Sequence, residues 1–243
     1  MTQPHQWSEE QASSAQTPNF GKKFVVEPTL LELLGDVKGK RILELGSGNG
    51  YWLQLLSKRG AHCTGVERSE QQLILARLGS QSEKIQHIQA DIGELGGYGL
   101  APETYDTILL EHVLLEISSK DALQNIFKNA FLLLKKGGHL IVSDLHPFAP
   151  SSHPENIHTP DNFTYFSSGD VFETTSRRID GQETKYRDHH WTLEDLTSPI
   201  TTAGFHIAKI VEPRPSRELT QQYPHLAYRL SIPMSIMIVG IKE

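Results

Sequence analysis

Glycine recurs at every second position in the segment ELGSGNG, residues 44–50, directly after a short apolar run. The run at residues 41–45 predicts a buried strand, and residues 51–59 predict an amphipathic helix that ends before Gly60. Glycines at such a junction let the backbone turn sharply and approach a ligand at the amino end of the helix. The segment therefore predicts a strand, a ligand-binding loop and a helix in immediate succession.

Strand and helix patterns continue to alternate after this unit. Alternation with short connections predicts a mostly parallel sheet with helices on both faces and a ligand crevice at the carboxyl ends of the strands. We therefore predict an α/β fold built on a Rossmann-like sheet of seven strands. The other strands are predicted at residues 62–67, 85–90, 105–110, 139–143, 205–211 and 236–241.

The alternation is interrupted after Asp144 by a stretch that is rich in Ser, His and Asn and contains four prolines. Residues 171–179 and 182–190 then have strand-like patterns and are predicted to pair. We therefore predict an inserted β-hairpin cap, residues 147–190, after the fifth strand of the sheet. In the helix that follows the cap, Pro199 is expected to cause a break or a kink, because proline lacks a backbone N–H.

The turn of this hairpin is predicted from Asp180 and Gly181. An Asp-Gly pair between two strand-like runs favours a two-residue type I′ turn. In that register Arg178 faces Glu183.

The first 20 residues are rich in Gln, Ser, Thr and Pro and have no apolar period. Such a segment cannot offset its ordering entropy alone. Residues 1–20 are therefore predicted to be a flexible tail, or a lid that a ligand orders, with Trp7 and Phe20 as its large apolar groups. Residues 21–243 are predicted to form one domain.

Composition excludes several classes of protein. A net charge of -6 disfavours a nonspecific binder of the nucleic-acid backbone. The single cysteine, Cys63, excludes an internal disulfide and a cysteine-clustered metal site, and it is expected to be buried. No apolar run is long enough to cross a bilayer, and residues 1–20 do not resemble a secretory signal. We therefore expect a cytoplasmic protein without a membrane partner.

Three features distinguish the glycine loop from other nucleotide-binding loops. The dinucleotide fingerprint G-x-G-x-x-G would place its third glycine at position 51, where this chain has Tyr51. No Gly-Lys-Ser/Thr follows, as a P-loop would require. Glu44 beside the loop repels a pyrophosphate but suits a ligand with an amino group and a sulfonium.

Two further acids stand at predicted strand ends. Glu67 ends the second strand, where an acid can accept hydrogen bonds from both ribose hydroxyls, and Asp91 follows the third strand. With the loop, these residues resemble the class I S-adenosylmethionine-dependent methyltransferases over about residues 40–145.

This resemblance implies S-adenosylmethionine as the cofactor. The loop would hold its methionine part, Glu67 its ribose, and Asp91 with Ile92 its adenine, while the segment LEHVL at residues 110–114 would line the methyl-transfer centre. The implied cofactor contacts are Glu44, Gly46, Ser47, Gly48, Gly50, Glu67, Arg68, Asp91, Ile92 and Glu111.

The family reaction is a direct displacement, in which the acceptor attacks the methyl group opposite the departing sulfur. A general base is needed only if the acceptor arrives protonated, and histidine can take a proton near neutral pH. A weaker likeness to a bacterial branch with E-H-P and Y-H-R-T segments indicates His146 and His190. With His112 in the methyl-transfer segment, these are the candidate bases, under a roof formed by residues 147–190.

The acceptor is predicted to be a small molecule. The Asp/Asn-Pro-Pro-aromatic signature of nucleic-acid amino methylation is absent, and Cys63 is in the wrong strand for a pyrimidine-methylating nucleophile. Asp144, His146, His189 and His190 match no recognised metal-ligand spacing, so no metal is expected. Oxygen and nitrogen acceptors are not separable, and a homodimer is left open.

Two other functions remain as alternatives. One is a regulatory protein that binds S-adenosylmethionine without turnover, and the other is an RNA methyltransferase. A nicotinamide-dependent oxidoreductase ranks last. The basic surface that an RNA enzyme would use consists of Lys22, Lys23, Lys58, Arg59, Arg177, Arg178, Lys185 and Arg187.

Overall fold

A seven-stranded sheet lies at the centre of the computed structural model, which describes residues 17–80, 82–152 and 156–243. The strands in these residues are β1 (Arg41–Leu45), β2 (His62–Glu67), β3 (Ile85–Gln89), β4 (Tyr105–Glu111), β5 (Leu134–Leu145), β6 (Ile157–His158), β7 (Val171–Arg177), β8 (Glu183–His189), β9 (His206–Val211) and β10 (Ser235–Ile241). The central sheet has the order β3-β2-β1-β4-β5-β10-β9. Strands β1 to β5 are parallel, and β10 is antiparallel to both of its neighbours. The predicted Rossmann-like α/β fold is confirmed.

Helices cover both faces of this sheet. They are α1 (Glu27–Leu34), which follows a π-helical segment (Lys22–Val26), α2 (Tyr51–Lys58), α3 (Glu70–Gly79), α4 (Lys120–Leu133), α5 (Leu193–Thr202) and α6 (Arg217–Gln222). Side chains that alternate along β1 enter two cores: Ile42 packs with α1 and α2, whereas Leu43 packs with α4 and α5. Cys63 is buried beside Ile42, as expected. Among the described residues, no helix is both long enough and apolar enough to cross a membrane.

Strands β6, β7 and β8 form a second, antiparallel sheet after β5, which confirms the inserted hairpin. The next helix, α5, does not break at Pro199 but continues to Thr202. Proline removes one backbone hydrogen bond. A reciprocal capping box between Thr192 and Asp195 begins the helix, and Ile200 is completely buried in the core, so packing holds the helix together past the proline.

The predicted turn of the hairpin is wrong by one residue. Arg177, rather than Arg178, faces Glu183, so the connection is one residue longer than a two-residue turn. A type I′ turn requires a positive φ at both central residues. Gly181 has a φ of 88°, but Asp180 is not among the residues with a positive φ.

Residues 17–19 contact the tip of this hairpin. Asn19 forms a single β-bridge with Arg178, and its Nδ2 donates a hydrogen bond to Ser176 Oγ at 3.0 Å. Phe20 lies 5.2 Å from Tyr223 between ring centroids. Trp7 lies outside the described residues, so the tail or lid over residues 1–20 stays a prediction.

Candidate functional site

The glycine loop between β1 and α2 bends across the carboxyl end of β1. Gly46, Gly48 and Gly50 have φ values of 76°, 52° and 76°, which glycine adopts without steric cost. A Cβ atom on Gly46 would lie 2.6 Å from Val113 Cγ2, so the loop can pack this closely only with a glycine there. The Gly48 N–H donates a hydrogen bond to Glu67 Oε2 at 3.0 Å, which joins the loop to the end of β2.

A cavity of about 890 Å³ lies beside this loop, at the carboxyl ends of β1, β2 and β4. It brings together all of the predicted cofactor residues except Gly50, namely Glu44, Gly46, Ser47, Gly48, Glu67, Arg68, Asp91, Ile92 and Glu111. A Cβ on Gly50 would lie 3.2 Å from Ala76, so Gly50 packs against α3 rather than lining the cavity. The other lining residues are Lys22, Asn49, Tyr51, Trp52, Gln72, Ala90, His112, Val113, Glu116 and Ile117.

Three buried carboxylates line the cavity. Burial raises the pKa of Glu44 well above its usual value, Lys22 opposes this shift, and the negative charges of Glu111 and Glu67 add to it. Burial also raises the pKa of Glu67, although the Ser69 and Gly48 N–H groups donate to that carboxylate. Burial alone would raise the pKa of Glu111, but Lys22 and His112 outweigh it and lower the pKa.

Several polar atoms on the cavity wall lack a protein partner. Glu44 Oε2, Ser47 Oγ and Gln72 Oε1 are buried and have no hydrogen-bond partner among the described residues. Buried polar atoms in folded proteins are normally paired. Their convergence on one cavity therefore fits a ligand that itself carries several polar groups.

Lys22 was predicted to belong to a basic surface, but the structure places it in the cavity wall. Its Nζ lies 2.7 Å from Glu111 Oε2 and 4.9 Å from the centre of the Tyr51 ring. Lys22 belongs to the segment before α1, far in sequence from every motif of the loop. The sequence carried no spacing signal for it, because the contact depends on how the amino-terminal segment packs across the sheet.

A smaller cavity of about 280 Å³ lies between the end of β5 and the inserted sheet. Its lining residues are Leu115, Asp144, Leu145, His146, Pro147, Pro150, Phe172, His189, His190, Trp191 and Leu196. Among the described residues, no group of three or more His, Cys, Asp or Glu side chains could hold a metal ion.

Two of the predicted bases, His190 and His146, line this smaller cavity. His190 is 1% exposed, and its Nε2 lies 2.7 Å from Tyr165 O, so Nε2 carries the proton because a carbonyl only accepts. His146 Nδ1 accepts from the Phe148 N–H, and its Nε2 lies 3.0 Å from Glu212 Oε1. Burial lowers the pKa of both histidines.

The third predicted base, His112, lines the larger cavity instead. It adopts a left-handed backbone conformation with a φ of 53°, which is uncommon for a residue with a side chain. Its N–H donates to Ser143 O at 2.8 Å, which fixes this conformation against β5. The structure therefore separates His112 from His146 and His190, which the sequence had grouped as candidate bases.

Residues 23–209 match the family described as "Methyltransferase domain". Because this match covers more than half of the chain, the chain belongs to this methyltransferase family. The predicted family is thereby confirmed.

Curated relatives match about half of the chain. The "Ubiquinone biosynthesis O-methyltransferase" of Aliivibrio fischeri (strain MJ11) is 28% identical over 123 residues, 48% of this chain and 49% of the relative. The protein of the same name from Acinetobacter baumannii (strain ACICU) is 30% identical over 122 residues, 47% of this chain and 48% of the relative. The chain thus spans about half the length of the curated relatives that it matches.

Solved structures of similar fold cover nearly the whole chain. An S-adenosylmethionine-dependent methyltransferase from Mesorhizobium loti has a TM-score of 0.67 and 22% identity, over 88% of this chain and 96% of that one. A SAM-dependent methyltransferase from Aquifex aeolicus has a TM-score of 0.62 and 13% identity, over 98% of this chain and 100% of that one. At these identities the likeness shows the fold.

Asp188 is a buried acid of the inserted sheet. Its Oδ2 accepts a hydrogen bond from Thr174 Oγ1 at 2.6 Å. Burial raises the pKa of Asp188 to about 6; Thr174 and the charge of His112 oppose this shift, and Asp144 adds to it. An acid whose pKa is raised by folding reduces stability above its unfolded pKa, because the folded state resists the charged form.

Replacing Asp188 with asparagine is expected to stabilise the protein at neutral pH. The free energy of unfolding of the wild type should fall as pH rises from about 4 to about 6, and Asp188→Asn should remove this loss, worth about 1–3 kcal/mol at neutral pH. Denaturant unfolding on both sides of this pH window measures the difference, with the exposed Asp161→Asn as the control. If Asp188→Asn destabilises the protein equally on both sides of this window, Asp188 is charged across the whole window and the prediction is wrong.

Proposed function

We propose that this chain transfers a methyl group from S-adenosylmethionine to a hydroxyl oxygen of a small-molecule acceptor. The observation that carries the proposal is the cavity beside the glycine loop, which collects Glu67, Asp91 and His112 at the ends of neighbouring strands. The family of the chain and the O-methyltransferase names of its relatives support it. When bound, the cofactor supplies the methyl group, and the positively charged sulfur that carries this group is the leaving group.

The residues around the larger cavity fit this cofactor. The loop with Glu44 would hold the methionine part, and Asp91 with Ile92 the adenine. Glu67 would hold the ribose, with Arg68 beside it. A carboxylate offers about four acceptor positions, and the Gly48 and Ser69 N–H groups occupy two of those on Glu67, so it can still accept from ribose hydroxyls.

The smaller cavity is the proposed acceptor site, roofed by residues 147–190. Its wall combines apolar surface from Phe172 and Trp191 with the polar side chains of Asp144 and His190. Binding pockets for small molecules combine apolar surface with a few orienting polar groups in this way. Holding the two reactants in line accounts for much of the rate in a displacement of this kind.

His112 is the proposed general base. It lines the cofactor cavity, while Asp144 on the adjacent strand lines the acceptor cavity. Burial raises the pKa of Asp144 and Asp188, and a positive charge on His112 would lower the pKa of both. These two carboxylates and Glu111, whose pKa the same charge lowers, would stabilise the imidazolium that forms when His112 takes a hydroxyl proton.

The structure weakens the case for an RNA enzyme. Several cations of the predicted basic surface are paired with acids: Lys22 with Glu111, Lys23 with Glu27, Arg177 with Glu183 and Arg178 with Asp180. Pairing reduces the charge that these side chains could offer to phosphates.

Methyl transfer from labelled S-adenosylmethionine tests the proposal. A panel of small ring compounds is offered as matched pairs that differ only in a hydroxyl or an amino group. Label is expected in the hydroxyl members. Label that enters only the amines would overturn the oxygen acceptor, and label that enters only added RNA would overturn the small-molecule acceptor.

The general base is tested by His112→Asn. Asparagine tolerates the left-handed backbone of this position but cannot take a proton at neutral pH. We expect kcat to fall by about 100-fold, in the usual range for loss of a general base, while S-adenosylhomocysteine binds with unchanged affinity. The exposed His206→Asn is the matched control. If His190→Asn abolishes turnover and His112→Asn does not, the base is His190.

A further inference from the structure

Lys22 is enclosed by an acid and two aromatic rings at the glycine-loop end of the larger cavity. Its Nζ donates to Glu111 Oε2 at 2.7 Å and lies 4.9 Å and 5.9 Å from the ring centres of Tyr51 and Trp52. Its charge also acts on Glu44, at the start of the loop. The ammonium group therefore belongs to the wall where the amino acid part of the cofactor would lie.

The amino acid part of the cofactor includes a negative charge, which the three acids of the cavity cannot neutralise. It carries a carboxylate as well as an ammonium, and Glu44, Glu67 and Glu111 would repel the carboxylate through the poorly screened interior. A cation that faces this carboxylate would offset the repulsion.

The cavity wall offers few cations for this task. Among the residues that the structure describes, the basic side chains of this wall besides Lys22 are Arg68 and His112. Arg68 Nη2 lies 3.9 Å from Glu116 Oε2, and Arg68 is next to Glu67, the residue proposed to hold the ribose. His112 is the proposed base. Lys22 is the cation that lies near both Glu44 and the glycine loop.

We propose that Lys22 Nζ binds the carboxylate of the amino acid part of S-adenosylmethionine. This inference rests on the proposed function. An ammonium group has three N–H donors, and among the described residues Lys22 Nζ uses one, on Glu111. The remaining donors can meet a carboxylate without breaking that ion pair.

The backbone of Lys22 is held in place by the inserted sheet. The Lys22 N–H donates to Asn19 Oδ1 at 2.8 Å, and Asn19 Nδ2 donates to Ser176 Oγ on β7 at 3.0 Å. A side chain whose backbone is already fixed loses less entropy when it binds. The same contacts connect the cofactor cavity to the roof of the proposed acceptor site.

Calorimetric titration with S-adenosylmethionine and with its decarboxylated form isolates this contact, because the two ligands differ only in the carboxylate. The wild type should bind S-adenosylmethionine about 10- to 100-fold more tightly, the range for a hydrogen-bonded charge pair. Lys22→Gln should weaken the binding of S-adenosylmethionine by the same factor and leave the affinity for the decarboxylated ligand unchanged. Lys22→Arg should still bind S-adenosylmethionine more tightly than its decarboxylated form.

Lys23→Gln is the matched control, since Lys23 pairs with Glu27 and does not line the cavity. A wild type that binds both ligands equally refutes the role of Lys22 but not the proposed function, and this result needs no variant to fold. Tighter binding of both ligands to Lys22→Gln would mean that Lys22 competes with the ammonium of the ligand, which also overturns the inference. A wild type that binds neither ligand overturns the proposed function itself.

Discussion

The hydrogen bond from the Gly48 N–H to Glu67 Oε2 ties the glycine loop to the end of β2, and Gly46 packs without a side chain against Val113 beyond β4. These two contacts draw the ends of β1, β2 and β4 around one cavity. A side chain at Gly46 would push the loop away from β4, and the acids at the three strand ends would no longer face a common space. The site therefore depends on backbone geometry that glycine alone provides.

This arrangement concentrates negative charge in a buried place. Glu44, Glu67 and Glu111 lie around one cavity, and burial works against the charge of each. Lys22 offsets part of this cost at Glu111 and Glu44, and a ligand with a sulfonium and an ammonium would offset more. A pyrophosphate would add negative charge, which is why the same glycine loop is a poor site for a dinucleotide.

The sequence predicted the sheet well because local patterns specify it. The bounds of β1 and β2 were predicted to the residue, since short apolar runs between a turn and a helix leave little freedom. The hairpin register was wrong by one residue because the conformation of Asp180, which decides the turn type, is set by the chain around it. Helix α5 continued past Pro199 because tertiary packing outweighs a local propensity.

The residues of the site were predictable only where they belong to a motif. Glu67 and Asp91 stand at strand ends, so spacing located them. Lys22 reaches the cavity from a segment with no motif. His112 belongs to the segment LEHVL at residues 110–114, so its place was predictable, whereas its left-handed backbone conformation is signalled by no pattern. The division of the candidate histidines between two cavities likewise follows from the inserted sheet, whose packing is not encoded in any short segment.

The most direct measurement for the cofactor site is a calorimetric titration of the wild type, Glu67→Gln and the exposed Glu70→Gln with S-adenosylhomocysteine and with NADH. The wild type and Glu70→Gln should bind S-adenosylhomocysteine and not NADH, and Glu67→Gln should bind it more weakly by about 1–3 kcal/mol, because the carboxylate then no longer pairs with the ribose hydroxyls. Tight binding of NADH without binding of S-adenosylhomocysteine would contradict the proposed cofactor.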